Sequence, residues 1–556
     1  MSRLFISHSS KDNVAAIAFK QWLGANGWPD EDVFLDLDNI GAGERWKEAL
    51  RKANARCEAV ILLASPDSLS SLECLAEVRK AEDFGKEIIV VLLRDVGIDD
   101  ARLGSYRERQ IVDLSAPPQA YVGNITYGGV QQDVRFNAAA LARIKDYLVK
   151  CGITPDRFGW PPHDRPNAEP FPGLSAFTED DAGIFFGRDS DILRGLDRLR
   201  ILRRNGQPRL MVIQAASGAG KSSFLRAGLW PRLTRDPDFA PVAILRPAQG
   251  ILTGPAGLGQ KLAHVLSDPN HPVAPGDIHA KLMASDEAQA AKDFVSMVVT
   301  AVGRAQEQRR IGDEGARAPA IVVAIDQAEE LFAAEDAAES NRFLFLLGGL
   351  LREPPAGVEP FVVLTIRADS SSPLFAAIAG QKVELPETLP LLPLPPTSYR
   401  DVILKPLEVI ALRGQKLVIE PALADRLIAD AGGADALPLL AFTLSHLYQN
   451  FSAAGSITLA QYAAMGGISS SIDMALKQVL ARPGDAPAIP AAKEDQLATL
   501  RRSFIPLLAR VDPDSGLPMR RVARLDEFHG ASHAMVERLI EARLLVADRR
   551  ASVDVV

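Results

Sequence analysis

The stretch Ala215-Ala216-Ser217-Gly218-Ala219-Gly220-Lys221-Ser222 constrains this chain more than any other. It follows the apolar run at 210–213 and Gln214, and it leads into residues 223–229, which suit a helix. Strand, glycine-rich loop and helix in that order make a phosphate cradle. Gly218 and Gly220 let the backbone turn its N–H groups inward, Lys221 reaches toward β- and γ-phosphates, and the Ser222 hydroxyl is placed for Mg2+. Ser217 and Ser223 flank the cradle as further candidate nucleotide contacts. The first glycine of the usual G-x-x-x-x-G-K-[ST] pattern is Ala215 here.

A second apolar run, Ile-Val-Val-Ala-Ile at 321–325, ends in Asp326-Gln327-Ala328-Glu329-Glu330. Such a strand is buried on both faces of a parallel sheet and delivers Asp326 at its carboxyl end, beside the loop, where it holds Mg2+ through water. Glu329 and Glu330 follow within one turn and are candidates to activate the attacking water. A third run, 361–366, ends in Arg367, a cation suited to sensing the γ-phosphate. Three strand ends converging on one point predict an ATP or GTP site. Turnover needs a well-placed base in addition.

A chain of 556 residues predicts three or four domains, and 47% hydrophobic content fills separate cores. A net charge of −8 argues against non-specific binding of nucleic acid or anionic membrane. Three cysteines, Cys57, Cys74 and Cys151, are too few and too scattered for a disulfide framework or a zinc site, which fits a reducing cytoplasm. The N-terminus runs straight into a strand without a signal peptide, and no apolar run approaches the ~20 residues of a membrane span.

Pro155, Pro161, Pro162, Pro166, Pro170 and Pro172 mark residues 153–172 as a semi-rigid linker. In the preceding domain, 1–152, short apolar runs at 4–7, 33–37, 59–63 and 88–92 alternate with helical patterns around 14–26, 43–56 and 70–84. That alternation predicts a small parallel sheet flanked by helices. Beyond the linker, the pattern predicts a P-loop α/β domain over 173–395 and a helical domain over 396–490, with a strongly apolar helix at 437–448. Residues 491–556 alternate helices at 497–508 and 532–542 with paired strands at 544–548 and 552–555, which reads as a winged helix lacking a basic stripe. The fold class is multidomain α/β.

The segments LFISHSSKD at 4–12, VFLD at 33–36, GAGERW at 41–46 and ILLASPDSLSSLECLAEVRK at 61–80 resemble bacterial TIR domains. The resemblance implies a flavodoxin-like fold and, in one branch, cleavage of NAD+ at the nicotinamide–ribose bond. TIR enzymes carry a glutamate three residues after a cysteine, and Cys74-Leu75-Ala76-Glu77 reproduces that spacing. The resemblance therefore makes Glu77 the candidate catalytic residue, a carboxylate that stabilises oxocarbenium character on the ribose. Read without that resemblance, Glu77 is a solvated helix glutamate paired with Lys80. Glu73, one turn earlier on the same face, joins Phe5, Ser7 and His8 at the first strand's carboxyl end as candidate NAD contacts. His8 also reads as a structural or surface histidine, and Asp36 either binds a ribose hydroxyl or caps the next loop.

Pro172-Gly173-Leu174 with Phe177, then IFFGR at 184–188 ahead of the P-loop, resemble the STAND NTPases, relatives of the AAA+ and NACHT proteins. The resemblance implies that Gly187 and Arg188 lie near adenine, that 326–330 is an extended Walker B segment, and that LTIRAD at 364–369 makes Arg367 its sensor. In GGADALPL at 432–439 it has Pro438 touching nucleotide, although Pro438 also suits the start of a helix. It casts the winged helix as an intramolecular clamp.

Relatives continue into ligand-sensing repeats, whereas this sequence stops at Val556 inside what reads as the wing's last strand; a truncated chain whose trigger lies elsewhere is the expectation. Together the resemblances imply a cytoplasmic immune sensor. ATP or ADP with Mg2+ restrains the parts, release lets TIR and STAND domains self-associate, and the assembled TIR domains consume NAD+. The activating ligand is unknown, and neither membrane nor nucleic acid is an expected partner. Two other classes remain open: a TIR adaptor without NADase activity, and an ATPase driving a winged-helix transcription regulator.

Overall fold

The computed structural model describes all residues except 1–2, 29, 36–56, 84–85, 116–119, 152, 154–157, 208, 237, 248–249, 255–256, 268–270, 310–317, 333–336, 412–413, 432–435, 469, 471–475, 478–488, 491, 512–517, 521–522, 542–543, 546–547, 551–552 and 556. The N-terminal part contains β1 (Leu4–Ser7), α1 (Asn13–Ala25), β2 (Val33–Leu35), β3 (Ala59–Ala64), α2 (Leu72–Asp83), β4 (Glu87–Leu92) and β5 (Gln110–Asp113). The five strands form one parallel sheet in the order β2-β1-β3-β4-β5. Side chains alternate between two cores. Leu4, Ile6, Ile61, Leu63 and Ile89 pack on the α1 side, while Phe5, Val60, Leu62 and Val90 pack on the α2 side. Burial on both faces is why these strands read as unbroken apolar runs.

An antiparallel hairpin, β6 (Tyr121–Tyr127) and β7 (Val130–Phe136), rests on α1, and α3 (Ala138–Lys150) follows it. Neither β5 nor this hairpin is legible as an apolar run, because β5 holds only Ile111 and Val112 and β7 is largely polar. Asp36, the 41–46 segment and the helix expected at 43–56 lie outside the described residues.

The central part contains α4 (Asp189–Asn205), β8 (Leu210–Ala215), α5 (Lys221–Ser223), α6 (Trp230–Arg235), β9 (Phe239–Leu245), α7 (Leu258–Leu266), α8 (Pro275–Leu282), α9 (Glu287–Arg309), β10 (Ala320–Ile325), α10 (Ala337–Arg352), β11 (Pro360–Arg367), α11 (Ser371–Gly380) and β12 (Glu387–Pro390). Its strands are all parallel in the order β12-β8-β11-β10-β9. Arg367 pairs with Ala215, and Ile325 pairs with both Leu364 and Leu245, so four neighbouring strands end along one edge. The helix after the P-loop is not uniformly α: Phe224–Leu229 is a π-helical stretch joining α5 to α6. Gly228 there lies so close to Ile192 and Phe185 that a Cβ would approach both at 3.1 Å.

The helices α12 (Pro396–Ala411), α13 (Pro421–Asp430), α14 (Ala436–Phe451) and α15 (Leu459–Ala464) surround the short parallel pair β13 (Val418–Ile419) and β14 (Ser456–Ile457). Their core includes Trp160 and Phe171. The described stretch 158–172 of the proline-rich segment is therefore packed rather than free, and Phe158 also lies under the Arg235 guanidinium at 3.7 Å. Its described residues make turns, with Arg165 N–H donating to the Pro162 carbonyl at 3.1 Å and Ala168 N–H to the Arg165 carbonyl at 3.0 Å, while Trp160 and Phe171 bury it. Finally come α16 (Lys493–Leu507), hairpin β15 (Ala509–Val511) and β16 (Pro518–Arg520), α17 (Ala531–Glu541), and hairpin β17 (Asp548–Arg550) and β18 (Val553–Val555). The first hairpin is not legible in the sequence, and the second begins at Asp548 instead of 544. Among the described residues no helix is long and apolar enough to cross a membrane.

Candidate functional site

A cavity of about 500 Å³ opens at the carboxyl edge of the central sheet. Its size falls within the range of small-ligand sites. Part of its wall is the P-loop, with Ser217, Gly218, Gly220, Lys221, Ser222 and Ser223, and part is apolar, with Phe177, Phe185, Phe186, Leu437 and Pro438. That division suits a polyphosphate carrying a flat base. Gly218 and Gly220 adopt φ of 73° and 84°, the left-handed conformation the tight loop requires. Lys221 Nζ donates to the carbonyls of Ala215 at 3.2 Å and Ala216 at 2.9 Å. Burial lowers the Lys221 pKa, with Glu329 opposing that shift. Ser223 accepts the backbone N–H of Phe177 at 3.1 Å, which ties the segment before the P-loop to the loop's helix.

Asp326 is the hub. It is 1% exposed. Its Oδ1 accepts from Ser222 Oγ at 2.9 Å and Thr365 Oγ1 at 2.8 Å, and its Oδ2 accepts from Arg226 Nε at 3.2 Å. A hydroxyl and a carboxylate this close are hard oxygen donors, and Mg2+ takes few protein oxygens beside phosphate and water. Ser222 and Asp326 therefore fit that ion. Among the described residues no cluster of three or more His, Cys, Asp or Glu forms a metal cage.

Glu329 and Glu330 both line the cavity, and Glu329 Oε2 accepts the Arg367 backbone N–H at 3.3 Å. Arg367 Nη2 is held by Asp369 at 2.6 Å, while its Nε is buried with no hydrogen-bond partner among the described residues. The buried Arg188, also in the wall, donates to the carbonyls of Ala219 at 2.9 Å and Leu392 at 2.7 Å. Gly187 is not in the cavity wall; its φ of 89° and the 2.8 Å from its would-be Cβ to Val402 show a packing role. Residues 432–435 lie outside the described set, and Pro438 is in the wall near the start of α14.

On the N-terminal sheet, β1 ends at Ser7, whose Oγ donates to Glu77 Oε2 at 2.6 Å. Cys74 Sγ donates to the His8 carbonyl at 3.3 Å, and burial, foremost among several influences, raises its thiol pKa. His8 Nε2 and Asn13 Oδ1 are 2.8 Å apart, and Asn13 Nδ2 donates to Tyr127 Oη at 2.7 Å. Ser7, His8, Cys74 and Glu77 thus gather at the strand's carboxyl end, where parallel sheets bind ligands. Glu73 is exposed on the same helix. Phe5 is different: it is core, stacked on Phe34 with ring centroids 5.3 Å apart, because it sits two residues back from the edge.

The profile of the novel STAND NTPase 1 family matches residues 170–556, and that of the TIR domain matches residues 4–123. The chain belongs to the novel STAND NTPase 1 family. No curated protein matches it. Solved structures that it resembles include the ORC1 protein of Aeropyrum pernix in complex with DNA, at 14% identity over 67% of this chain and 89% of that one, with a TM-score of 0.33. Others are the ORC2 protein of Aeropyrum pernix in ADPNP–ADP complexes, at 13%, 64%, 93% and 0.37, and a Walker-type ATPase of Pyrococcus abyssi, at 13%, 68%, 94% and 0.29. A TIR domain and a STAND NTPase domain on one chain support a nucleotide-gated signalling protein.

Within the STAND NTPase domain, sequence reasoning missed Thr365, Arg226 and Arg246. Thr365 bonds both Asp326 and the Gln327 N–H, the latter at 2.9 Å, and Arg246 holds Gln327 Oε1 at 2.6 Å from the end of β9. The signal for Arg226 was present: it lies four residues after Ser222, on the same helical face. Thr365 needed the register between β10 and β11, which no single run reveals.

Proposed function

We propose that this STAND NTPase controls a TIR domain that hydrolyses NAD+ to nicotinamide and ADP-ribose, or to a cyclic ADP-ribose. ATP or ADP with Mg2+ occupies the P-loop cavity, Lys221 and Arg367 read the phosphates, Ser222 and Asp326 hold the metal, and Glu329 or Glu330 activates water for slow turnover. Nucleotide exchange frees the protomers to self-associate through TIR and STAND domains, and that assembly switches on NAD+ cleavage. The chain's place is the cytoplasm and its biological role a bacterial antiviral one.

The observation that carries the reading is the Ser7–Glu77 hydrogen bond at the carboxyl end of β1. It fixes one carboxylate oxygen and leaves the group at the edge where a dinucleotide's ribose is received. A carboxylate there stabilises the oxocarbenium character that develops as nicotinamide departs. The test is nicotinamide release by wild type and Glu77→Ala at saturating nucleotide. Loss of release by roughly a hundredfold or more is expected when such a group is removed. Equal rates would leave the TIR domain as a non-catalytic adaptor.

A further inference from the structure

The end of the TIR sheet opposite Ser7 and Glu77 is built of charge. Arg3 precedes β1, Cys57 and Glu58 precede β3, and Lys86 precedes β4, so three adjacent parallel strands present them side by side. Arg3 Nε donates to Glu58 Oε1 at 2.9 Å. Lys86 is 0% exposed, and its ammonium donates to Asp197 Oδ2, midway along α4 of the NTPase domain. One turn on, Arg200 donates to Asp236 at 2.7 Å and faces Asp197 at 3.9 Å. Burial works to raise the Glu58 carboxyl, yet Arg3, joined by Arg232 and Arg200 from the NTPase domain, holds it below the usual carboxylate range. Lysine is rarely buried without a specific partner, and here the partner belongs to another domain.

This interface is only partly satisfied. Asp197 Oδ1 and Arg200 Nη1 are buried without a hydrogen-bond partner among the described residues. Burial also keeps the Asp197 carboxyl above its usual value despite Lys86 and Arg200. Where desolvation cancels much of the Coulomb gain, a buried ion pair specifies an arrangement without locking it. The same helix reaches the nucleotide site. Arg188, at the head of α4, donates to the P-loop carbonyl of Ala219, and Asp197 follows it nine positions later, about 13 Å along the helix. Gly195 lies between them against the helix after the P-loop, its would-be Cβ 3.3 Å from Leu229.

We propose that α4 is a lever that couples the nucleotide cavity to TIR docking. A shift of the P-loop at Ala219 is passed through Arg188 along α4 to Asp197, and so decides whether the TIR domain stays seated by its N-terminal sheet edge. The edge bearing Ser7 and Glu77 faces away from this seat. The restraint therefore acts by fixing the TIR domain's orientation, not by covering its candidate site. Only the consequence for NAD+ rests on the function proposed above; the seat and the lever do not.

Hydrogen–deuterium exchange on the full chain tests both. Loss of the buried pair in Asp197→Lys is expected to speed exchange at 57–60 and 86–89 by roughly tenfold, and Lys86→Asp with Asp197→Lys to restore it within about threefold. Replacing ADP by a non-hydrolysable ATP analogue is expected to alter exchange in those segments and in 189–205. Unchanged exchange in Asp197→Lys overturns the seat, and nucleotide effects confined to the P-loop overturn the lever. Should the reversal fail to fold, Asp197→Asn removes the charge at constant shape and carries the same expectation. Faster exchange without any change in nicotinamide release counts against the NADase reading and leaves the seat standing.

Discussion

Arg226 shows how a single side chain sets the electrostatics of the nucleotide site. Asp326 is buried, and a carboxylate there needs a positive partner. Arg226 Nε supplies one at 3.2 Å, on the oxygen that Ser222 and Thr365 do not use. In the proposed site the guanidinium and Mg2+ are two sources of the same compensation. Arg226→Ala is expected to make the fold depend on metal: its melting temperature in EDTA should fall well below that in Mg2+ with nucleotide, by a gap wider than the wild type's. Breaking a buried pair costs about 3–5 kcal/mol, and a bound cation recovers part of it. Thermal unfolding of both proteins in the two buffers measures the gap, and equal gaps would remove Arg226 from this role. The guanidinium was legible by helical spacing from Ser222. Its partner oxygen was not, because that depends on where the end of β10 meets the helix.

At the scale of elements, the turn at Gly187 carries the chain from Phe186 in the cavity wall to Arg188 at the head of α4. It has φ of 89°, and Val402 of α12 leaves no room for a Cβ. Gly187→Ala meets both obstacles. It is expected to cost more than about 1 kcal/mol and, by moving Arg188 off Ala219, to weaken nucleotide binding by roughly tenfold. Calorimetric titration with ADP checks it; unaltered affinity would confine Gly187 to folding. The resemblance to STAND NTPases places Gly187 near the ligand; in the structure its neighbours Phe186 and Arg188 line the cavity and Gly187 itself packs on Val402. Strand ends were the most legible feature, since the runs before Asp326 and Arg367 are buried on both faces and read as unbroken apolar stretches. β9 was not read, as Pro241 interrupts it, and its end supplies Arg246. The segment around Trp160 was read from its prolines as a linker, although its aromatic residues were the better guide to packing.

At the scale of the whole molecule, the seat between TIR and NTPase domains leaves a chemical mark on Cys57. This thiol is 0% exposed, and burial, with Asp197 and Glu58 adding to it against Lys86, pushes its pKa to about 12. A raised thiol pKa favours the neutral form, so its contribution to stability is complete below the ordinary value of 9.0 and is lost as pH climbs toward about 12. At pH 8 roughly one Cys57 in ten thousand carries the thiolate, the form that reacts. In the native full chain Cys57 is therefore expected to resist alkylation at pH 8, and to react more than about a hundredfold faster once the chain is unfolded in urea. Mass-spectrometric mapping of the modified peptide over time gives both rates. Because Asp197 contributes to the shift from the other domain, Asp197→Asn should speed native alkylation of Cys57 while leaving the unfolded rate unchanged. Native rates that match between wild type and Asp197→Asn would mean that Cys57 is protected by the TIR core alone.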